Sequence, residues 1–270
     1  MAKVSADVTH GSTGPWLAGK RIVVTGAASG IGLGAARAFH ELGAEIVVVD
    51  RDEKALDSAW PDLEARRRHT VDVVDEAACE AMFAATNAAM DGIDGVFHAA
   101  GISDVVVPAT EVDVADWQRV VDVNLRGTFL ICRAAGRIML ERRQGSIVTV
   151  SSVNGITGIP RRHAYGPAKA AIVQLTRTLA CEWGKAGVRV NALAPTYVHT
   201  PMVDRLIANG KLNLERLKRR TPLGRLATVE DVAHAGAFLL SDWSRFLTGV
   251  ILPVDGGWLA YGGPGDVETA

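Results

Sequence analysis

The chain reads as a single-domain, Rossmann-like α/β fold: a doubly wound sheet of about seven parallel strands flanked by helices on both faces. Three observations lead there. Short runs rich in Val and Ile alternate with helical stretches along the whole length, the alternation that builds a parallel sheet. Runs such as Ile-Val-Val-Val at 46–49 are continuously apolar, as a strand buried on both faces requires. A glycine-rich turn, Gly26-Ala27-Ala28-Ser29-Gly30-Ile31-Gly32, follows the first such run and opens a helix.

Taken in order, the strands are expected at 21–25, 45–49, 69–71, 95–98, 146–150, 189–193 and 249–254. The helices between them are expected at 31–42, 76–90, 116–143, 164–185 and 229–241. One region breaks this rhythm. Residues 200–221 are polar and basic (Lys211, Arg216, Lys218, Arg219, Arg220) and carry no strand pattern. Following the sixth strand, they are read as a lid over the strands' carboxyl ends. No repeat or linker divides the chain, so residues 17–258 form the domain, preceded by a flexible arm (1–16) and followed by a tail (259–270).

Composition narrows the function classes. A chain of 270 residues with 48% hydrophobic and 22% charged residues is an ordinary globular protein. Its net charge of −1 gives no electrostatic reason to bind nucleic acid or an anionic membrane. No apolar run is long enough to span a bilayer, and residues 1–16 lack a signal-peptide core. Cys79, Cys132 and Cys181 lack metal-ligand spacing, so no metal is expected. All three read as buried small hydrophobes, which suits a reducing cytoplasm.

The chemistry is carried by Tyr165 and Lys169, four residues apart and so on one face of a helix. A free phenol titrates near pKa 10, too high for acid/base work at neutrality, and a neighbouring ammonium favours the phenolate. Lowering that pKa by about three units needs about 4 kcal/mol of differential stabilisation, which the ammonium together with a bound cationic cofactor would supply. Ser152, thirteen residues before the tyrosine, adds a neutral donor for the oxygen that gains or loses a proton. The glycine turn has the spacing Gly-x-x-x-Gly-x-Gly and presents backbone N–H groups to phosphates at a helix start. Asp50, twenty-four residues after Gly26, stands where an acid grips an adenosine ribose. Its carboxylate repels a 2′-phosphate, which favours NAD over NADP. Arg51 beside it is the one group that could meet such a phosphate.

These motifs together resemble the short-chain dehydrogenase/reductase family, from about residue 17 to 258. Besides the glycine turn and Asp50, the matches are Asp72-Val73, Asn124 in Val-Asn-Leu, Ser152, Tyr165-x-x-x-Lys169, Arg189-Val190-Asn191, Pro195 with Thr200, and Val254-Asp255-Gly256-Gly257. The resemblance implies an NAD(P)-dependent alcohol dehydrogenase or reductase. Tyr165 would be the acid/base, Lys169 would tune it and hold the nicotinamide ribose, and Ser152 would polarise the substrate oxygen. Asn124 would anchor a proton path from Lys169. Gly26, Ser29, Gly30, Ile31, Gly32, Asp50 and Arg51 would border the dinucleotide. So would Asp72, Val73, Ala100, Gly101, Tyr165, Lys169, Val198 and Thr200. The resemblance also implies a homotetramer built on the long helices, and similarity to sugar and polyol dehydrogenases.

The chain departs from the family pattern in places. The family's Asn-Asn-Ala-Gly reads His98-Ala99-Ala100-Gly101, with His98 read as a packed residue and not a catalytic one. Pro-Gly reads Pro195-Thr196, which puts a side chain beside the substrate. Pro167 inside the Tyr-x-x-x-Lys span requires that span to be the first helical turn. Around the reacting centre, Asn154, His163 and Thr196, with Tyr197 and His199, are polar, which points to a polyol or sugar. The alternatives are a 3-oxoacyl thioester reductase drawing an anionic carrier to the basic groups, or a non-catalytic dinucleotide sensor. Arg161 and Arg162 are read as a solvated face.

Overall fold

The computed structural model describes residues 15–210, 212–263 and 266–267. Most of the expected arm and the end of the expected tail therefore lie outside the described residues. Seven parallel strands form one sheet in the order β3-β2-β1-β4-β5-β6-β7. They are β1 (Arg21–Thr25), β2 (Glu45–Asp50), β3 (Arg68–Thr70), β4 (Gly95–His98), β5 (Gly145–Val150), β6 (Val188–Pro195) and β7 (Ile251–Val254).

The strands are apolar on both faces because helices cover both. Ile22, Val24 and Phe97 face α1 (Gly30–Glu41) and α9 (Val229–Leu240), where Phe39 meets Phe97 edge to face at 5.2 Å. Val23, Val96 and Ile147 face α3 (Glu76–Met90), α5 (Gly127–Arg142) and α6 (Tyr165–Trp183) on the other side. Each fully buried aliphatic or aromatic side chain contributes about 1.5–3 kcal/mol, so the two layers hold the sheet rigid. The order reverses between β1 and β4, and a doubly wound sheet opens its crevice at the carboxyl ends on either side of such a reversal.

Four expectations change. A short helix, α2 (Glu53–Ala59), follows β2, started by Asp52 accepting from the Ala55 N–H; it is too short to show a period in sequence. The single helix expected over 116–143 is three pieces: α4 (Val114–Val121), a π-helical turn (Asp122–Arg126) and α5. The Asn124 amide causes the break by donating to the Val120 carbonyl at 2.9 Å, in the place a backbone N–H would take. The lid region carries two short helices, α7 (Pro201–Ala208) and α8 (Leu214–Arg220). Cys79 and Cys132 are buried, with thiols pushed up by burial to about 11 and about 12, but Cys181 is exposed, on the outer side of α6.

Candidate active site

The glycine turn folds tightly between β1 and α1. A Cβ on Gly32 would lie 2.2 Å from the Gly26 carbonyl oxygen, so only glycine permits this packing. Gly30 is different. Its φ is +54, and a Cβ there would make ordinary contact with the Thr200 side chain at 3.7 Å. The loop backbone thus lies close to Thr200, which caps α7 through a bond from the Val203 N–H. Ser29 stands exposed at the α1 N-cap with no side-chain cap bond of its own, and Ile31 follows, half-buried. The open groups at this helix start suit a phosphate.

Asp50 ends β2. Its carboxylate accepts from the Ala28 N–H at 3.0 Å and from the Asp52 N–H at 3.2 Å, which locks it to the glycine turn. Arg51 is exposed beside it. Asp72 is exposed and accepts from the Val74 N–H, leaving the capping of α3 to Asp75. Val73 is buried against Gly127. Val198 buries its side chain in the core, and a parallel bridge to Ala227 holds its backbone in place.

Ala100 and Gly101 continue from β4. The Ala100 N–H donates to the Thr25 hydroxyl, which also meets His98 Nδ1 at 2.7 Å. His98 is buried, and burial with the nearby Lys169 pushes its imidazole down to about 3. It is a neutral packing residue, as its sequence context indicates.

The four catalytic candidates lie on one side of the sheet. Tyr165 is the first residue of α6, so Pro167 falls in the first turn, where its missing N–H costs nothing. Lys169 is buried one turn on. Its Nζ donates to the Val150 carbonyl at 2.8 Å and lies 5.4 Å from the centre of the Tyr165 ring. Burial pushes this amine down to about 8. Ser152 ends the β5 excursion, donating to the Pro195 carbonyl and accepting from the Asn154 N–H. Asn124 is fully buried, with its amide nitrogen bonded to the Ile102 and Val120 carbonyls and its Oδ1 left without a partner. A Cβ on Gly101 would come within 2.6 Å of that Oδ1 and 3.6 Å of Lys169 Nζ, so the two polar groups converge on Gly101.

The expected lowering of the phenol needs both the Lys169 ammonium and a bound cationic cofactor. In the protein alone, burial holds Tyr165 above the usual phenol range, against a hydrogen bond with Ser152 and the nearby Arg162 charge. Lowering it to neutrality thus needs a further cation in the cleft.

Of the substrate candidates, Asn154 bonds to Ser152 through its backbone N–H and Thr196 follows Pro195, whose carbonyl accepts from Ser152; Asn154 Oδ1 and Thr196 Oγ1 are both buried without a partner. His163 Nε2 is likewise unpartnered, but its side chain lines a separate cavity of about 100 Å³ beside Asp104 and Trp117. Arg162 is not solvated: its side chain is 14% exposed and paired at 2.8 Å with Asp104. That carboxylate, absent from the sequence reading, accepts from the Tyr165 N–H at 3.1 Å.

The assembly can hold an alcohol oxygen between a serine and a tyrosine beside a dinucleotide cleft. A family model described as enoyl-(acyl carrier protein) reductase matches residues 26–259. Cis-4-hydroxycyclohexanecarboxylate dehydrogenase from Sinomonas cyclohexanicum is 42% identical over 241 residues, 88% of this chain and 96% of that protein. Galactitol 2-dehydrogenase from Rhizobium johnstonii is 40% identical over 255 residues, covering 91% and 97%. The chain belongs to the short-chain dehydrogenase/reductase family. It is accordingly an NAD(P)-dependent alcohol oxidoreductase. Among solved structures, a short-chain type dehydrogenase/reductase from Mycobacterium ulcerans superposes with a TM-score of 0.86 at 34% identity, covering 92% of each chain. Among the described residues of this dehydrogenase, no helix is long and apolar enough to cross a membrane.

Proposed function

We propose that this chain is an NAD-preferring dehydrogenase that interconverts a polyhydroxylated secondary alcohol, a polyol or sugar, and its ketone. The observation that carries the substrate class is the pair of unpartnered buried atoms, Asn154 Oδ1 and Thr196 Oγ1, in residues whose backbone neighbourhood is bonded to Ser152. A buried polar atom left unpaired costs about 1–3 kcal/mol, and hydroxyls on a substrate would satisfy both. The galactitol and hydroxycyclohexanecarboxylate activities of the two relatives are consistent with such a substrate.

The proposed roles follow from placement. Tyr165 Oη takes the proton of the substrate hydroxyl and returns it in reduction, while Ser152 holds the same oxygen as its charge changes. Lys169 hydrogen-bonds the nicotinamide ribose, and Asn124 Oδ1 receives a water that passes the proton on from Lys169. A bound nicotinamide supplies the hydride acceptor and, when oxidised, the further cation that an elevated phenol requires. Asp50 holds the adenosine ribose and disfavours a 2′-phosphate, with Asp72 and Val73 beside the adenine. The dehydrogenase is proposed to work as a cytoplasmic homotetramer.

Part of the basic set behind the thioester-reductase alternative is paired within the chain. Arg162 is spent on Asp104, Arg219 pairs with Asp266, and Arg220 lies between the Trp258 and Tyr261 rings while donating to both their carbonyls.

The test is a panel of polyols against a simple secondary alcohol, using Asn154→Ala, His163→Ala and Thr196→Val. The proposal expects kcat/KM for the preferred polyol to fall at least about tenfold at Asn154 and Thr196, with the simple alcohol little changed. Unchanged kinetics with every polyol would remove the polyol assignment.

A further inference from the structure

Tyr165 opens α6, and the first N–H groups of any helix lack internal partners. The residue before it, Ala164, supplies no side-chain cap. The missing acceptor comes from far away in sequence: Asp104 Oδ2 takes the Tyr165 N–H at 3.1 Å. Asp104 is itself gripped. Arg162 Nη1 donates to Asp104 Oδ1 and to Ser103 Oγ, both at 2.8 Å. The side chains are 14% and 6% exposed, so neither charge is screened as a surface pair would be. The chain reaches this contact through Arg161 at φ +66, an uncommon conformation for a non-glycine residue.

The residues just before Asp104 touch the remaining catalytic candidates. Asn124 Nδ2 donates to the Ile102 carbonyl at 2.9 Å, and Gly101 closes over Asn124 Oδ1 and Lys169 Nζ. The strap 101–104 thus runs from Asn124 and Lys169 to the backbone of Tyr165.

We propose that Asp104, held by Arg162, is a positioning residue that fixes the seat of Tyr165 and balances the charge around its phenol. This rests on the reading of Tyr165 as the acid/base. The two charges act in opposite directions: Arg162 favours the phenolate and Asp104 disfavours it. The other groups facing the phenol are Lys169 from α6, Ser152 after β5 and Tyr197 after β6. His163, two residues before the tyrosine, turns its ring to the cavity beside Asp104. Removing one member of the pair leaves the other uncompensated, so the two deletions should displace the tyrosine in opposite senses.

The experiment measures kcat/KM for alcohol oxidation against pH, at saturating NAD, for the wild type, Asp104→Asn, Arg162→Met, Arg162→Lys and Tyr165→Phe. In Asp104→Asn the rising limb should move to lower pH by about half a unit to one unit, and in Arg162→Met to higher pH by a similar amount. Arg162→Lys keeps the charge and should restore the wild-type limb. A merely structural role would lower rates in both deletions without opposite shifts. Should Asp104→Asn fail to fold, the contrast between Arg162→Met and Arg162→Lys still decides. Profiles that superimpose after scaling, or move the same way, overturn this inference alone when Tyr165→Phe is inactive. An active Tyr165→Phe overturns the acid/base reading, and this inference with it.

Discussion

Replacing Lys169 by Met removes an ammonium from the face of the Tyr165 ring while keeping an unbranched side chain. The charge lies 5.4 Å from the ring centre. Taking the ring centre as the seat of a delocalised phenolate charge, at an effective dielectric of about 20 a unit charge favours the phenolate by at most about 3 kcal/mol, or about two pKa units. Burial already holds the phenol high, so without the ammonium the phenolate forms only at still higher pH. The sign is definite: the rising limb of alcohol oxidation moves up by at most about two units, and the rate at neutral pH falls by at most about a hundredfold. The wild-type limb is a property of the coupled pair, because Lys169 itself is pushed down to about 8. The assay is the pH dependence of kcat at saturating NAD, with a primary deuterium isotope effect verifying that hydride transfer limits the rate. A limb displaced by less than about half a unit, with kcat at neutrality unchanged, would refute the electrostatic role given to Lys169.

Three further outcomes are expected. The folded-state pKa of Lys169 falls from 10.5 to about 8, so below pH 8 its burial costs about 3 kcal/mol, relieved as pH rises from about 8 to about 10.5; Lys169→Met should unfold at higher denaturant than wild type at pH 7, with the gap closing by pH 10. Gly30→Ala should lose about 1–2 kcal/mol of stability, because a Cβ at φ +54 is strained, and should weaken NADH binding by fluorescence titration; Gly32→Ala should be destabilised more, because its methyl would meet the Gly26 carbonyl at 2.2 Å. Asp50→Ala, which removes the carboxylate bonded to the Ala28 N–H, should raise the NADP-to-NAD ratio of kcat/KM by at least about tenfold, and an unchanged ratio would remove Asp50 from cofactor choice.

The readable parts of this molecule are those encoded locally. Strand runs such as Ile46–Val49 and the glycine turn carry their signals within a few residues, and Tyr165 and Lys169 are one helical turn apart, so the sheet and the placement of the motif on α6 were legible. The break in the helix over 116–143 was not, because Asn124 diverts one carbonyl by a side-chain bond that leaves the apolar period intact. Arg162 was misread for a related reason. Its partner Asp104 lies 58 residues away, and in sequence an arginine in a polar turn looks solvated. Cys181 was expected inside, but the helix turns its position outward, a detail that the composition of α6 does not resolve. The elevated phenol could not be foreseen either, since burial is a property of the assembled fold and local spacing reports only the neighbouring charge.

The central claim is that Tyr165 moves the substrate proton. It is tested most directly by incubating wild type and Tyr165→Phe with NAD and a polyol panel and following the rise in nicotinamide absorbance. Because the ring is kept and only the hydroxyl with its Ser152 bond is lost, Tyr165→Phe should still bind NADH and lose at least about a thousandfold in kcat. Turnover in Tyr165→Phe within about tenfold of wild type would contradict the account.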